Sequence, residues 1–275
     1  MSYLAKTPFV VFDTETTGLS LTARIVEIGA VKILKGKIVA EFSSLANPGC
    51  SIPLRATEIH GINDEMVAKA PSVADVLKKF LNFIDDSILI AHNAVFDLRM
   101  LAIHLEREQL PLFPNPAIDT HQLLRKYFPE LKKYNLPFLS NLWQSPYQGC
   151  HRALIDAQHT AFVFFRILEK QGITFNYPLD EFWQWVGEPL YLKRFVPCFE
   201  KCDFDDPKVR SILYAISEEK DIEIIYSNGN LAFKPRKIRP ILCFRSGKHY
   251  YVEAFCYLDL VVKTFRLDRI LKILR

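Results

Sequence analysis

Four acidic residues and one histidine have the side chains and spacing needed for metal-assisted hydrolysis. Asp13 and Glu15 lie two residues apart at the end of an apolar run, so the pleat of a strand would place both carboxylates on one face. Asp97 follows a second apolar run, and His151 and Asp156 lie five residues apart at the start of a helical pattern. Carboxylates brought together would repel one another strongly, and two divalent cations with oxygen ligands would neutralise them.

Two such cations, Mg²⁺ or Mn²⁺ roughly 3.5 to 4 Å apart, serve in-line displacement at phosphorus. The attacking water must lose a proton, and a histidine suits that role at neutral pH. Each residue alone has a plainer interpretation. An Asp-x-Glu at a strand end is commonly a solvated turn, and Asp97 and Asp156 could be ordinary acids of a first helical turn. The occurrence of all five residues in this order favours the site.

The patterns around these residues predict the elements that must position them. Apolar, β-branched runs predict four strands, over residues 8–13, 24–34, 37–46 and 87–92. A turn at Lys35-Gly36 is predicted to join the second and third of them as a hairpin. Helical spacing begins at Ser72, returns at Phe96 and covers Ala153 to Glu169. Strands and helices that alternate after an initial antiparallel meander predict an α/β domain with helices packed on a mixed sheet.

The composition changes after Gly172. Residues 173–205 have no clean period and predict a packed connector, and Asp206-Pro207 predicts the start of a helix. The following segment alternates around Asn228-Gly229, a hairpin signal that predicts a small all-β module. We therefore expect three parts: an N-terminal domain, a connector with a helix, and a β domain, over residues 1–172, 173–220 and 221–275.

Composition restricts the class of protein. The 275 residues are 49% hydrophobic and 24% charged, which excludes a disordered chain, a collagen-like repeat and a coiled coil. No stretch approaches the roughly 18 to 20 apolar residues of a membrane span, and the opening residues do not form a signal-peptide pattern. The six cysteines are scattered, which favours reduced thiols. We expect a soluble, cytoplasmic protein with no membrane partner.

The positive charge is concentrated at the C-terminal end. The formal net charge is +4, yet residues 234–275 contain 11 Lys and Arg and only 3 Asp and Glu. Aromatic residues interleave with these cations, a combination that neutralises phosphates and stacks on bases of single strands. The rings could equally be the inward face of a small barrel, but the Lys and Arg side chains must still point outward. Because this basic surface is present in either case, nucleic acid is the expected partner.

Three motifs resemble a known family. DTETTG (13–18), AHNAVFD (91–97) and HRALIDA (151–157) are similar to the exonuclease motifs of the DEDDh family, the DnaQ-like 3′ to 5′ exonucleases, and most of all to its exonuclease X-like members. EIHGI (58–62) also resembles that family. The resemblance covers about residues 8–170 and implies a ribonuclease H-like fold. It implies that His151 is the general base and that two Mg²⁺ or Mn²⁺ ions are held by four acids, namely Asp13, Glu15, Asp97 and Asp156.

The same resemblance implies a set of substrate-binding residues: Thr16, Gly18, Leu19, His60, Ile62, His92 and Asn93. Thr16 and Gly18 would bring backbone near the terminal nucleotide, and Leu19 would act as an apolar wedge. Plainer roles stay open for three of them, since Leu19 and Ile62 could be core residues and His60 a structural histidine.

Residues 222–275 resemble a WYL domain, whose fold is an Sm-like β-barrel. The residues that carry the resemblance are IIY (224–226), IRP (238–240), YYVEA (250–254) and FRLDRI (265–270), and the name-giving triad is altered to Tyr-Tyr-Val. The resemblance implies that this module binds nucleic acid or a nucleotide-like ligand, with contributions from Arg239, Tyr251, Arg266 and Arg269.

Together these features predict a metal-dependent 3′ to 5′ exonuclease that releases nucleoside monophosphates, with single-stranded DNA as the preferred substrate and RNA as a possible one. One alternative is an exoribonuclease or oligonucleotide-trimming enzyme, since no residue pattern reads the 2′-hydroxyl. Another is a non-catalytic regulator that binds nucleic acid. A proofreading exonuclease would need a polymerase-binding segment, which no pattern identifies. Protein partners stay open.

Overall fold

The computed structural model describes residues 2–196, 206–227, 235–246 and 249–274. The chain forms two compact units. The first consists of Met1–Thr17 and Ala23–Val196, and the second of Gly18–Thr22 and Pro197–Arg275. The turn predicted at Asn228-Gly229 lies outside the described residues. The boundaries predicted at residues 172 and 220 stay a prediction.

A six-stranded mixed sheet is the centre of the first unit. Its strands are β1 (Phe9–Thr16), β2 (Ile25–Leu34), β3 (Lys37–Leu45), β4 (Ile88–Ala91), β5 (Pro116–Asp119) and β6 (Leu190–Tyr191). Their spatial order is β3-β2-β1-β4-β5-β6. β1, β4 and β5 run parallel, whereas β2, β3 and β6 pair antiparallel with their neighbours. The mixed sheet predicted from the sequence is thus confirmed.

The turn between β2 and β3 lies where the sequence predicts it. Lys35 and Gly36 both have positive φ, 52° and 75°, the combination that a tight hairpin with matching strand twist requires. In β1, residues Phe9 to Phe12 are all fully buried, as expected of a strand covered on both faces.

Eight α-helices surround this sheet in the described part of the unit: α1 (Leu54–His60), α2 (Asp64–Val67), α3 (Val73–Ile84), α4 (Val95–Arg107), α5 (Thr120–Tyr127), α6 (Leu136–Leu142), α7 (Ala153–Lys170) and α8 (Leu179–Val186). Ser72 caps α3 as predicted, because its hydroxyl accepts a hydrogen bond from the Asp75 amide at 3.1 Å. Phe9 of β1 lies in an aromatic cluster with Phe164 of α7 and Phe182 of α8, at centroid distances of 5.9 and 6.0 Å.

The second unit is a helix and an antiparallel sheet. It contains α9 (Pro207–Ser217), β7 (Ile222–Tyr226), β8 (Pro235–Ser246), β9 (His249–Cys256), β10 (Val261–Arg266) and β11 (Ile270–Leu274). Asp206 caps α9 through the Lys208 amide at 2.7 Å, and Pro207 occupies the first turn as predicted. The strand order is β10-β9-β8-β7-β11. The ladder among the described strands is open between β10 and β11, so the all-β module is confirmed but an Sm-like barrel is not.

The segment Gly18–Thr22, which groups with the second unit, is hydrogen-bonded to a buried acid of that unit. Glu253 of β9 is fully buried, and its carboxylate accepts hydrogen bonds from the amides of Leu21 and Thr22. No helix in the described part of the chain is both long enough and apolar enough to span a membrane.

Candidate active site

The two acids of β1 are aligned against two residues of β2. Asp13 lies opposite Gly29 and Glu15 opposite Glu27 in the antiparallel register. Asp156, in the first turn of α7, meets them there. One carboxylate oxygen from each of Asp13, Glu15 and Asp156 lies within 4.8 Å of the other two. Three of the four predicted acids are therefore gathered at one place.

The fourth acid, Asp97, is held at β1 by Thr14, which no sequence pattern identifies. Asp97 lies in the first turn of α4, and its side chain is only 3% exposed. Its Oδ1 accepts two hydrogen bonds from Thr14, from the backbone amide at 3.0 Å and from the hydroxyl at 2.7 Å. Thr14 thus links Asp97 to the strand that carries Asp13 and Glu15.

His151 comes two residues before α7 begins. Its φ is 62°, and its side chain is exposed. The His151 amide donates to Oδ2 of Asp156 at 2.8 Å, so the backbone, and not the imidazole, contacts the acid. The preceding loop is fixed by His159 of α7, whose Nε2 lies 3.0 Å from the Gly149 carbonyl oxygen. The imidazole of His151 is therefore presented to solvent beside the acid cluster.

The four acids share an unfavourable electrostatic environment. Burial, followed by the charge of Asp156, raises the pKa of Glu15 to about 8. Burial raises the pKa of Asp97 to about 7 in spite of the opposing hydrogen bonds from Thr14. Burial and then the charge of Asp97 raise the pKa of Asp13 well above its ordinary value, and burial raises the pKa of Asp156.

Among the described residues, no salt bridge compensates any of these four acids. A half-buried cluster with only oxygen donors, and with no salt bridge to a cation among the described residues, is suited to a hard divalent cation such as Mg²⁺ or Mn²⁺. The donor set of this site therefore fits the metal that the sequence analysis expects.

The predicted substrate-binding residues of the first unit occupy varied environments. Thr16 and Ile62 are buried, and His60 is 4% exposed with its Nδ1 accepting from the Ile62 amide at 3.0 Å. His92 donates from Nε2 to the Tyr134 carbonyl at 2.7 Å, and its Nδ1 lies 2.9 Å from the Thr120 hydroxyl. The ring of His92 is thus held by the protein itself, and its direct contact with substrate stays a prediction.

The remaining predicted residues of this group lie elsewhere. The Asn93 amide donates to Oδ1 of Asp119 at 3.0 Å, and the φ of Asn93 is 63°. Gly18 and Leu19 belong to the segment that groups with the second unit. The side chain of Leu19 is 81% exposed, so it is not a core residue.

The predicted ligand-binding residues of the second unit have protein partners. Arg239 donates from Nε to Asp221 at 2.8 Å. Arg266 forms two hydrogen bonds with Asp268, at 2.7 and 2.6 Å. Tyr251 stacks on Phe244 with centroids 5.4 Å apart and rings 15° from parallel, and Arg269 is exposed. Two of the three arginines would therefore exchange an acidic partner for a ligand.

Comparisons with known proteins agree with a nuclease site in the first unit and a WYL domain in the second. A family model described as an exonuclease matches residues 10–164, and the model of the WYL domain matches residues 207–274. The DNA polymerase III PolC-type of Streptococcus sanguinis (strain SK36) is 39% identical over 176 residues. These cover 62% of this chain but only 12% of the polymerase, so the chain corresponds to about an eighth of that relative.

Solved structures show the same fold. Exonuclease X in complex with 5′ overhanging duplex DNA has 32% sequence identity and a TM-score of 0.50; the match covers 62% of this chain and 98% of that one. The nuclease domain of 3′hExo, a DEDDh family member bound to rAMP, has 18% identity and a TM-score of 0.54, with coverages of 60% and 93%. The first unit has the mixed α/β, ribonuclease H-like fold of these nucleases. The chain belongs to the exonuclease family, with a nuclease domain of DEDDh type followed by a WYL domain.

Proposed function

We propose that the protein is a metal-dependent 3′ to 5′ exonuclease that releases nucleoside monophosphates, with single-stranded DNA as its preferred substrate. The observation that carries the proposal is the cluster of Asp13, Glu15 and Asp156 within 4.8 Å. These acids are half-buried, have raised pKa values and form no salt bridge with any described residue, and strongly raised pKa values of this kind are typical of functional sites. The exposed His151 next to this cluster supplies the proton acceptor that hydrolysis needs.

Each residue has a defined role in this proposal. Asp13, Glu15, Asp97 and Asp156 hold two divalent cations, Mg²⁺ or Mn²⁺. When bound, the cations would acidify the attacking water and stabilise the charge that develops on the phosphate. His151 accepts the proton of that water, and its exposed position leaves room for a phosphodiester beside it. Thr14 keeps Asp97 in place through its hydroxyl and amide.

The preference for DNA has support from relatives. The polymerase relatives are DNA polymerases by name, and exonuclease X was solved with a 5′ overhanging duplex DNA. 3′hExo was solved with rAMP, which keeps an exoribonuclease as the second candidate. We propose that the enzyme is cytoplasmic, and the exposed thiols of Cys50 and Cys150 are consistent with a reducing compartment.

The second unit is proposed to bind the nucleic-acid strand or a nucleotide-like ligand. We place this role on Arg239, Tyr251, Arg266 and Arg269, within an Sm-like barrel as in WYL domains. Of these, Arg269 is exposed and Arg266 lies on β10, whose edge is open in the described sheet. Guanidinium groups suit this task because they contact phosphates bidentately and stack on bases.

Digestion of labelled substrates tests the proposal directly. Single-stranded DNA, duplex DNA and RNA, each labelled at the 5′ end, are incubated with Mg²⁺, Mn²⁺ or EDTA. We expect a ladder that shortens from the 3′ end, fastest on single-stranded DNA, and that EDTA abolishes. Asp13→Asn should lose the ladder, whereas Asp75→Asn, which changes an exposed acid of α3, should keep it.

Other outcomes assign other functions. A ladder on RNA alone would replace the proposal by an exoribonuclease or oligonucleotide-trimming activity. Binding without cleavage under every metal condition would favour the non-catalytic regulator. Shortening from the 5′ end, seen with 3′-labelled substrate, would overturn the proposed polarity.

A further inference from the structure

Glu27 is a buried acid of β2 with a cationic partner at the edge of the active site. Its side chain is 2% exposed. Its carboxylate accepts from Nε of Arg152 at 3.0 Å and from Nη2 of Arg152 at 2.7 Å. It also accepts from the Ala153 amide at 3.0 Å. Glu27 therefore binds a guanidinium and caps the first amide of α7, although it belongs to a strand 125 residues earlier in the chain.

The backbone of α7 lies directly on the same strand. A Cβ added to Gly29 would lie 2.0 Å from the backbone nitrogen of Leu154 and 2.2 Å from the carbonyl carbon of Ala153. No side chain fits between β2 and the first turn of α7 at this point. Two residues of β2, Glu27 and Gly29, thus determine how close α7 comes to the sheet.

These two residues face the acids of β1 in the sheet. Glu27 is the register partner of Glu15, and Gly29 is the register partner of Asp13. The first turn of α7 carries Asp156, whose amide donates to the Arg152 carbonyl at 2.9 Å. Any shift of α7 along β2 would therefore move Asp156 relative to Asp13 and Glu15.

We propose that Glu27 and Arg152 form a positioning pair that sets Asp156 and His151 against the acids of β1. This inference rests on the proposed function, because it concerns the same metal site. Glu27 and Arg152 act through α7 and hold neither metal nor substrate. Arg152 lies between His151 and Ala153, the first residue of α7. Its ion pair with Glu27 therefore fixes both His151 and the start of α7.

A metal titration without nucleic acid tests the pair independently of cleavage. Binding of Mn²⁺ is measured by calorimetry in wild type and in Glu27→Gln, which keeps an acceptor for the Ala153 amide but removes the ion pair. Loss of a residue that orients metal ligands costs roughly 10- to 100-fold in metal affinity, and we expect a weakening in this range. Arg152→Lys, which keeps the charge but not the bidentate geometry, should weaken binding less.

Two matched variants of α7 contacts serve as controls. Glu41→Gln changes another strand acid that contacts α7, through Gln158 at 2.8 Å, but at an exposed position. Arg166→Ala removes an exposed ion pair of α7 with Glu169. Both controls should bind Mn²⁺ within about twofold of wild type, since exposed ion pairs contribute little.

Kinetics distinguish a positioning role from a contact with substrate. If the pair positions the site, Glu27→Gln and Arg152→Ala each lower kcat on single-stranded DNA with little change in KM, and the double variant is no worse than the more impaired single one. An Arg152→Ala variant with raised KM and unchanged Mn²⁺ affinity would instead assign Arg152 to a substrate phosphate. Glu27→Gln with wild-type Mn²⁺ affinity would also overturn the inference. A wild type that binds Mn²⁺ but cleaves nothing would refute the proposed function alone, because the Mn²⁺ titration still decides on the pair.

Discussion

The acid cluster should make the metal-free protein less stable as the pH rises. Glu15 has an ordinary pKa of 4.5 and a pKa of about 8 in the fold, because burial and neighbouring acids disfavour its charge. The folded state therefore keeps this proton at a pH where the unfolded chain has lost it. Stability from this group is fully present below about pH 4.5 and is lost as the pH rises to about 8.

The magnitude follows from the size of the shift. One pKa unit corresponds to about 1.36 kcal/mol. Integrated from about pH 5 to about pH 8, the shift of Glu15 lowers the free energy of unfolding by about 3.5 kcal/mol. The pKa of Asp97 is raised to about 7, which acts in the same direction. A bound divalent cation favours the ionised carboxylates, so saturating Mn²⁺ should remove most of this dependence.

Urea unfolding in EDTA measures this effect in the first unit alone. The three tryptophans of the chain are Trp143, Trp183 and Trp185, and all lie in that unit, so their fluorescence reports its unfolding. Glu15→Gln should lose about 3.5 kcal/mol less than wild type between about pH 5 and about pH 8. Glu58→Gln, at an exposed position, should behave as wild type. Equal pH slopes for wild type and Glu15→Gln would refute the reasoning.

Three further predictions concern single features of the two units. His151→Ala should lower kcat by about 10²- to 10⁴-fold but leave Mn²⁺ affinity unchanged, since the substitution keeps the backbone amide that donates to Asp156. Calorimetry that shows weakened Mn²⁺ binding would contradict this. Thr14→Val should reduce the free energy of unfolding by about 1 to 2 kcal/mol and weaken Mn²⁺ binding, because one of two hydrogen bonds to Asp97 is lost. Thr14→Ser keeps the hydroxyl and is the matched control. Equal stability and Mn²⁺ affinity of the two variants would count against the role of the hydroxyl. Arg239, Arg266 and Arg269 of the second unit are replaced together by glutamine. The slope of log affinity for single-stranded DNA against log salt concentration should fall by about 2, at about 0.7 per phosphate contact. An unchanged slope would show that these arginines do not contact the DNA.

The sequence predicted the elements around the site well, because each has a local signal. The β2–β3 turn has residues suited to positive φ, and Ser72 and Pro207 mark the starts of α3 and α9. Helix α8 lies in the segment that was predicted to be a connector. Its Phe182 is fully buried, and Trp183 and Trp185 pack partly buried against the same core. Asp180, Glu181 and Gln184 form its exposed face, but eight residues are too few for a helical period to stand out from a short apolar run.

The residues that support the acids were harder to find, because their partners are distant in sequence. Thr14 lies 83 residues from Asp97, and Glu27 lies 125 residues from Arg152. One sequence feature does point to Glu27. It is a lone acid within the apolar run of β2, and acids are rarely buried without a partner. The acidic partners of Arg239 and Arg266 depend equally on strand pairing and turn geometry, which the charge count cannot show.

The contrast between Glu27 and the neighbouring acid cluster argues that the cluster has a function and is not only part of a scaffold. Glu27 is ion-paired with Arg152 and accepts a hydrogen bond from the Ala153 amide, so its negative charge is compensated by the protein itself. Asp13 and Glu15 lie on the neighbouring strand β1 and are gathered with Asp156 of α7, without an ion pair among the described residues. A regulator that used this domain as a scaffold would gain stability by replacing any of these three. The protein neutralises the charge of Glu27 but provides no ion pair for Asp13, Glu15 or Asp156 among the described residues. This difference supports a role for the three acids in binding cations from solution.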